Sequence, residues 1–600
     1  MKIKVSKYIA DFMVQNGIRH VFTVTGGGAM HLNDAFGHHP NLRCIYNHHE
    51  QASSIAAEGY TRLTGKLALT CVTSGPGGTN AITGVLGGWL DSIPMFVISG
   101  QVKRETTIWS TDVPLRQLGD QEYNIVDSVS SMTKYAHMIT EPNEIRYHLE
   151  KALYLSLNGR GGPVWLDIPL DIQAAIVETE DLAGFSTDEL SIENPVYDKA
   201  LTSVILEKIK QAKRPVIIAG SGIRLGSAQN EFISIIEKLE IPVVTAWNAH
   251  DILWDDHPLF CGRPGTIGTR GGNFVVENSD LLLVLGCRLN IRQISYNYKD
   301  YAKNAYKIII DIDKNELQKP TVKADLPVWA NVRDVMADIE SSDYATDNEA
   351  HRKWLNWCRK TNEKYPAVLP QYYEKLSPVN PYAFTKELFE QLDEGENIIT
   401  GNGSACVISF QAAKIKKGQR LFTNSGCAAM GYGFPAALGG CVGTEGKRVI
   451  CIDGDGSFQM NIQELQTVTY NKLNMKIIYL NNNGYQSIRQ TQNNLFKPPL
   501  VGVCDGNGLS FPDMEKISGA YGIPYIKIEN INDARVLIRK MLDTEGPVIC
   551  EVIVDPSQNF EPKLSSKVLP DGKIVSPPID DMFPFLDKAE YDENKNLDLI

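Results

Sequence analysis

The chain has 600 residues, 43% of them apolar, which is too long for one domain and ample for several cores. A net charge of −12 with a pI near 5.5 argues against a nucleic-acid or membrane partner. Eleven scattered cysteines without a Cys-x-x-Cys pair read as thiols in a reducing compartment. The start M-K-I-K-V-S-K lacks a signal-peptide apolar region, and no apolar run reaches the ~18 residues of a membrane span, so a cytoplasmic protein is expected.

In chain order, Val5–Gly17 is amphipathic and His20–Val24 reads as a strand. Thr25-Gly26-Gly27-Gly28 is a flexible turn before a helix. Cys44–Asn47 is a short strand running into His48-His49-Glu50-Gln51, which opens a helix over Ala52–Thr64. Leu67–Thr73 ends in Ser74-Gly75-Pro76-Gly77-Gly78-Thr79-Asn80, and Pro94–Ser99 ends at Gly100-Gln101. Strands alternating with helices at this spacing imply a doubly wound parallel sheet over residues 1–177. His38-His39 reads as a loop pair, and His48-His49 as polar neighbours at a subunit surface. A polar linker, Glu178–Pro195, precedes a second α/β unit at 196–342, with strands Pro215–Ala219, Leu281–Gly286 and Ile308–Asp313. Another polar link, Ser341–Glu349, leads through a helix carrying Trp354 and Trp357 to a third α/β unit at 376–558. The tail, 559–600, is rich in Pro and apolar residues. It predicts an ordered wrap over a site mouth or partner subunit, with the last dozen residues disordered. The expected fold class is α/β: three doubly wound parallel-sheet domains and a C-terminal tail.

The densest chemistry lies in the third unit. Arg448–Ile452, a buried-strand pattern, runs into Gly454-Asp455-Gly456-Ser457. Lys476–Leu480, a second such strand, runs into Asn481-Asn482-Asn483-Gly484-Tyr485. Two parallel strands joined by a helix bring Asp455 and Asn482 together at the carboxyl edge of one sheet, where such folds bind ligands. A carboxylate, an amide oxygen and the Gly484 carbonyl are three hard oxygens with open positions, a set that suits Mg²⁺ bridging a diphosphate. The glycines let backbone N–H groups approach the phosphates. Gly-Asp-Gly alone would read as a plain turn; Asn-Asn at this spacing after a second apolar strand favours the metal site.

This pairing resembles the thiamine-diphosphate signature, and residues 3–558 or so resemble the acetolactate synthase (acetohydroxyacid synthase) large-subunit group. The resemblance implies pyrimidine-binding, central and diphosphate-binding domains in that order. Read alone, Glu50 divides evenly between serving its helix N-terminus and acting in a site. H-E-Q followed by A-A-E-G-Y-T-R-L-T-G matches the group's pyrimidine domain, where the Glu hydrogen-bonds the aminopyrimidine and promotes deprotonation of the thiazolium C2. That chemistry needs a buried carboxyl able to hold a proton. By the same resemblance, Gly26, Pro76 and Asn80 lie in loops that approach the cofactor, and Gln121 is a donor to substrate. Gly403 and Ser404 cradle the diphosphate, although Ser404-Ala405 stands where the group usually has Gln-His. Ala429 and Met430, in G-C-A-A-M-G-Y-G, prop the cofactor into its bent shape. Residues 262–271 align with the segment that lies along FAD in some members. Other members lack FAD, and Gly220-Ser221-Gly222 is too weak a motif to choose, so a structural FAD stays open. A family site combines units from two chains, implying a homodimer or homotetramer.

The acceptor side departs from the group. The loop Trp109–Asp120 is longer and adds Arg116, an anion clamp or a solvated charge. Aligned without gaps, the group's bulky Trp becomes Thr491, a nearby Met becomes Ser487, and the Phe before the active-site Gln becomes Asp120. Polar lining suits hydroxyls where an apolar pocket suits methyl or ethyl groups. The expected reaction is decarboxylation of pyruvate and transfer of the two-carbon unit to a carbonyl acceptor, either a 2-oxo acid or a nucleotide-linked keto-sugar. The loop L-R-Q-L-G-D-Q-E is similar to that of yersiniose-type branched-chain-sugar carboligases. A simple decarboxylase releasing an aldehyde is the alternative, opposed by the lack of a His-His pair around Thr107–Gln117. A non-catalytic relative is opposed by Glu50, Asp455 and Asn482.

Overall fold

The computed structural model describes every residue except 191–192, 346–347, 497, 569–571 and 597–600. Strands such as Leu281–Leu285 (L-L-L-V-L) have no polar alternation and are buried along their length, as parallel strands covered by helices on both faces must be.

Three parallel sheets result. The first has the order Arg43–Tyr46, His20–Thr23, Leu69–Val72, Met95–Gln101, Pro163–Pro169, Tyr135–Met138. The third has the order Arg420–Phe422, Asn397–Thr400, Val449–Gly454, Met475–Asn481, Val548–Ile553, Tyr525–Ile528. Counted along the chain, both are 2-1-3-4-6-5. The central sheet is 2-1-3-4-5, from Val243–Thr245 and Pro215–Ala219 through Leu281–Leu285 and Tyr306–Asp311 to Leu326–Trp329. In each, the order reverses between the first and third strands, the place where doubly wound sheets open a ligand crevice.

The first and third domains meet through glycine-rich helices. Helix Glu50–Thr64 lies against Gly433–Gly443 so closely that a Cβ at Gly439 would stand 1.8 Å from the Ala56 carbonyl oxygen, and one at Gly59 2.5 Å from that of Ala436. A buried charge network runs through the seam. Arg62 pairs with Glu58 and Asp91, and the Tyr432 hydroxyl donates to Glu58 at 2.7 Å. Asp91 also accepts from Asn248 of the central domain and from the Gly426 N–H of the third. Removing one member would leave the others unpaired in low dielectric.

The connection between strands Val449–Gly454 and Met475–Asn481, expected to be a helix, includes a 3₁₀ turn, Ile462–Glu464, followed by helix Leu465–Tyr470. At the break, the fully buried Glu464 accepts from the Asn47 side chain and the His48 N–H of the first domain, both at 2.9 Å. The tail wraps the seam between the central and third domains. Leu564 N–H donates to the Thr266 carbonyl, Gln411 to that of Pro562, and Asn273 to that of Ile579. The expected disorder of the last dozen residues is corrected for those described: Lys588–Lys595 is a helix. Tyr591 and Lys595 reach the buried Asp580, and Asn594 reaches Tyr365, giving the segment partners that composition does not reveal.

Candidate active site

In the first domain, four strand ends converge. Glu50 is the first residue of its helix and half-buried. His49, expected to be a surface neighbour, caps that helix by accepting the Gln51 N–H on Nδ1, and this fixes where Glu50 points. Asn80 Nδ2 donates to Glu50 Oε2 at 3.0 Å, from the helix that begins at Pro76. A Cβ at Gly77 would lie 2.8 Å from Thr73 and 3.7 Å from Glu50 Oε1, so this floor must be glycine. Gly26 rests on the same Thr73, where a Cβ would come to 2.5 Å. Gly75 turns the chain at φ +57°, with the Gln121 carbonyl 2.6 Å from where its Cβ would be. Gly26, Glu50, Pro76, Asn80 and Gln121 are thereby brought together.

Gln121 itself has φ +61°, a left-handed conformation that is costly for a non-glycine residue. Its neighbour Glu122 holds it there: the buried carboxylate accepts N–H groups from Ile108, Leu118 and Gly119, tying the loop at both ends. This anchor is absent from the sequence reading. The Q-E pair in the loop motif is the one signal that could have pointed to it. Arg116 and Asp120 stand exposed on that loop.

In the third domain, Gly401–Ser404 follows the first strand. Gly401 has no room for a side chain, because the Asp453 carboxylate occupies the place of its Cβ. Gly403 turns at φ +61° into helix Ser404–Ala412. Asp455 is buried and opens the short helix Asp455–Gln459. Its Oδ1 accepts from the Gly456 N–H and its Oδ2 from those of Asn482 and Gly484, clamping the two strand ends together. Burial pushes Asp455 up to about 6 against those hydrogen bonds, and Asp453 up to about 7. Tyr485 packs over Gly456, whose Cβ would meet its ring. Ser457 Oγ accepts the Gly431 N–H at 2.9 Å and so holds the end of the loop with Ala429 and Met430, both half-buried; Gly454 faces open space.

Asn482 Oδ1 decides what this cluster fits. It is buried, beside Asp455, and has no hydrogen-bond donor. A desolvated amide oxygen without a donor is costly unless a cation meets it. Among the described residues no group of three or more His, Cys, Asp or Glu could cage a metal by itself. The donor set therefore fits Mg²⁺ that shares its ligands with a diphosphate, over a glycine-lined cradle.

The acceptor candidates divide. Ser487 and Thr491 line a cavity of about 300 Å³ that reaches Gly403, whereas Arg116 and Asp120 do not line it in this chain. In the central domain, Gly220 and Gly222 are pressed on Gly286, so these glycines permit two turns to touch. Beside them a crevice of about 390 Å³ opens towards Arg160, which pairs with Asp313 and Glu316. Residues 262–265 are buried, and Arg263 is paired with Asp255.

Three family profiles match in sequence: "Thiamine pyrophosphate enzyme, N-terminal TPP binding domain" over 3–123, its central domain over 202–339, and its C-terminal TPP binding domain over 401–552. Fold and site together define a thiamine pyrophosphate enzyme. The chain is 31% identical over 579 residues to acetolactate synthase 2, chloroplastic, of Nicotiana tabacum, covering 94% of this chain and 84% of that one. It is 28% identical over 560 residues to the acetolactate synthase isozyme 1 large subunit of Escherichia coli K12, covering 93% and 95%. A probable acetolactate synthase large subunit of Methanocaldococcus jannaschii is 28% identical over 614 residues, covering 99% and 98%. The chain belongs to the acetolactate synthase large-subunit family.

Proposed function

We propose that the chain is a Mg²⁺- and thiamine-diphosphate-dependent carboligase that decarboxylates pyruvate and transfers the two-carbon unit to a carbonyl acceptor. The observation that carries the proposal is the buried, donorless Asn482 Oδ1 beside Asp455, with a second constellation built around Glu50. When bound, thiamine diphosphate supplies a carbon nucleophile and an electron sink for decarboxylation. Asp455, Asn482 and the Gly484 carbonyl hold the metal, and Gly403, Ser404, Gly454, Gly456 and Ser457 border the diphosphate. Met430 and Ala429 would pack against the cofactor, while Glu50 Oε2, oriented by Asn80, would hold and move a proton on the pyrimidine side. Gln121 offers its side chain to substrate.

Polar Ser487 and Thr491 in the cavity wall support a hydroxylated acceptor, a nucleotide-linked keto-sugar, over a small 2-oxo acid. A homodimer or homotetramer belongs to the reading. Trp109, Val113 and Leu118 are exposed on the first-domain loop, and Ile488, Leu495 and Phe496 beside the third-domain cavity; a second copy would cover them and bring Arg116 and Asp120 to the acceptor. Eleven free cysteines suit a reducing cytoplasm, and among the described residues no helix is long and apolar enough to cross a membrane. For FAD, the crevice at Gly222, Gly286 and Asp311 is the place with room, and the visible spectrum of the purified protein decides whether flavin fills it.

Product analysis with Mg²⁺, thiamine diphosphate and pyruvate, with and without a nucleotide-linked 4-keto sugar, tests the reading. A sugar product two carbons larger is expected. Acetolactate alone would narrow the reaction to acetolactate synthesis, acetaldehyde alone would make the protein a decarboxylase, and no cofactor-dependent CO₂ release would overturn the proposal.

A further inference from the structure

The cavity that holds Ser487 and Thr491 contains a feature unrelated to those substitutions. Its wall includes two cationic side chains, Arg292 and Lys563, and no carboxylate. They come from distant parts of the chain and are fixed by one residue between them. The Thr266 N–H donates to the Arg292 carbonyl at 2.8 Å, and the Thr266 carbonyl accepts from the Leu564 N–H at 2.7 Å. Lys563 is further pinned by a reciprocal backbone pair with Phe583, at 2.9 and 2.7 Å. Arg292 stands over Trp247, 5.9 Å from the ring centroid, and Trp247 is stacked on Phe410.

Neither side chain makes an ion pair with a carboxylate among the described residues. Burial lowers the pKa of Lys563, and Glu561 two residues before it opposes that shift only in part. Lys563 is half-buried and Arg292 is exposed at the rim, and two cations lining one cavity without a carboxylate suit an anion able to meet both. A single carboxylate, the charge a 2-oxo acid brings, needs only one of them. Arg and Lys together, with Asn402, Gln490 and Asn494 as further polar wall, match the several oxygens and higher charge of a phosphate.

We infer that Lys563 and Arg292 form an anion subsite for a phosphate group on the acceptor, so that the acceptor is a phosphorylated carbonyl compound. This rests on reading the cavity as the acceptor pocket. A sugar phosphate and a nucleoside-diphosphate sugar share this chemistry, and two probes separate them. The tail then acts in recognition as well as packing, because it delivers Lys563.

The test uses full-length protein loaded with Mg²⁺ and thiamine diphosphate, so that the diphosphate cradle is filled. Binding of UDP and of glucose 6-phosphate is measured by calorimetry at two salt concentrations, for wild type, K563Q, R292Q and K563R. At least one probe should bind, more weakly at high salt, with a tenfold or greater loss in K563Q and R292Q and most of the affinity regained in K563R. UDP binding alone selects the nucleotide-linked source, and binding of both selects the bare phosphate. No binding of either probe, equal affinity in K563Q, or binding confined to cofactor-free protein would overturn the inference. Cofactor-dependent CO₂ release from pyruvate is followed in parallel. Its absence would strike the proposed function and leave the anion subsite standing, whereas CO₂ release without probe binding would strike the subsite alone.

Discussion

The first and third domains are two copies of one topology, 2-1-3-4-6-5, set to different work. After the first strand the first domain has Gly26–Gly28, and the third has Gly401–Ser404. After the second strand, the edge position, stand Glu50 and the Met430 loop. After the third come Gly75-Pro76 and Asp455; the fourth ends at Gln101 in one domain and runs into Asn482 in the other. Each domain places one glycine at φ near +60° before a helix, but after the third strand in one (Gly75) and the first in the other (Gly403). The sheets are interchangeable as scaffolds; on the function proposed here, the loop residues would separate a proton-handling half from a phosphate- and metal-holding half.

Substitutions in the two halves should therefore fail in different ways. E50Q is expected to lower kcat by roughly 10²–10⁴-fold while cofactor affinity stays close to wild type. Single-turnover kinetics beside thiamine diphosphate titration separates the two, and equal loss of both would erase the division of labour. D455N should do the reverse, weakening cofactor and Mg²⁺ binding by at least the roughly 10–100-fold that even outer-shell changes cost. Calorimetry with saturating Mg²⁺ reads this directly.

The two positive-φ glycines sharpen the comparison by size of effect. Any side chain at either carries about 1–3 kcal/mol of backbone strain. G75A must also displace the Gln121 carbonyl, 2.6 Å from the new Cβ, whereas G403A meets only the Ser487 hydroxyl at 3.4 Å. Urea unfolding should find G75A the more damaging, and a reversed order would mean that the Gln121 loop yields freely.

A pH dependence at one matched sheet position adds a last test of the comparison. On its fifth sheet position Asp167 accepts from Ser99 and Gln101; the matching residue in the third domain, Glu551, accepts from Asn481 and Tyr525. Full burial pushes Asp167 up to about 7. The folded chain keeps a proton that the unfolded chain releases near pH 4, so this contribution is full below about pH 4 and is lost as pH rises through 7. Relative to D167N, wild type should lose stability across that window, by about 4 kcal/mol at most. Parallel unfolding curves at all pH values would remove Asp167 from the account.

Much of this was legible along the chain. Asp455 and Asn482 each follow an apolar strand, and parallel sheets gather such residues at one edge, so strand pattern and spacing suffice for these two; Glu50, beyond the short and largely exposed strand Arg43–Tyr46, needed the family resemblance. Strand Pro215–Ala219 falls where its residues predict. Short edge strands such as Tyr135–Met138 and Leu326–Trp329 carry polar or Pro residues and give no comparable pattern. The last helix, Lys588–Lys595, looks like a solvated end until Asp580 and Tyr365 are placed beside it.

The sequence by itself determined the three-domain α/β plan, the cofactor class and the residues that end its key strands, because these depend on patterns within a few dozen residues. The tertiary structure decided what depends on residues far apart. It seats Glu464 under Asn47 and His48, lets Glu122 hold Gln121 at its left-handed turn, and brings Lys563 from the tail to the cavity that Arg292 also lines. Such contacts follow from packing rather than local propensity, since a carboxylate can be buried only where donors brought by the fold arrive to meet it.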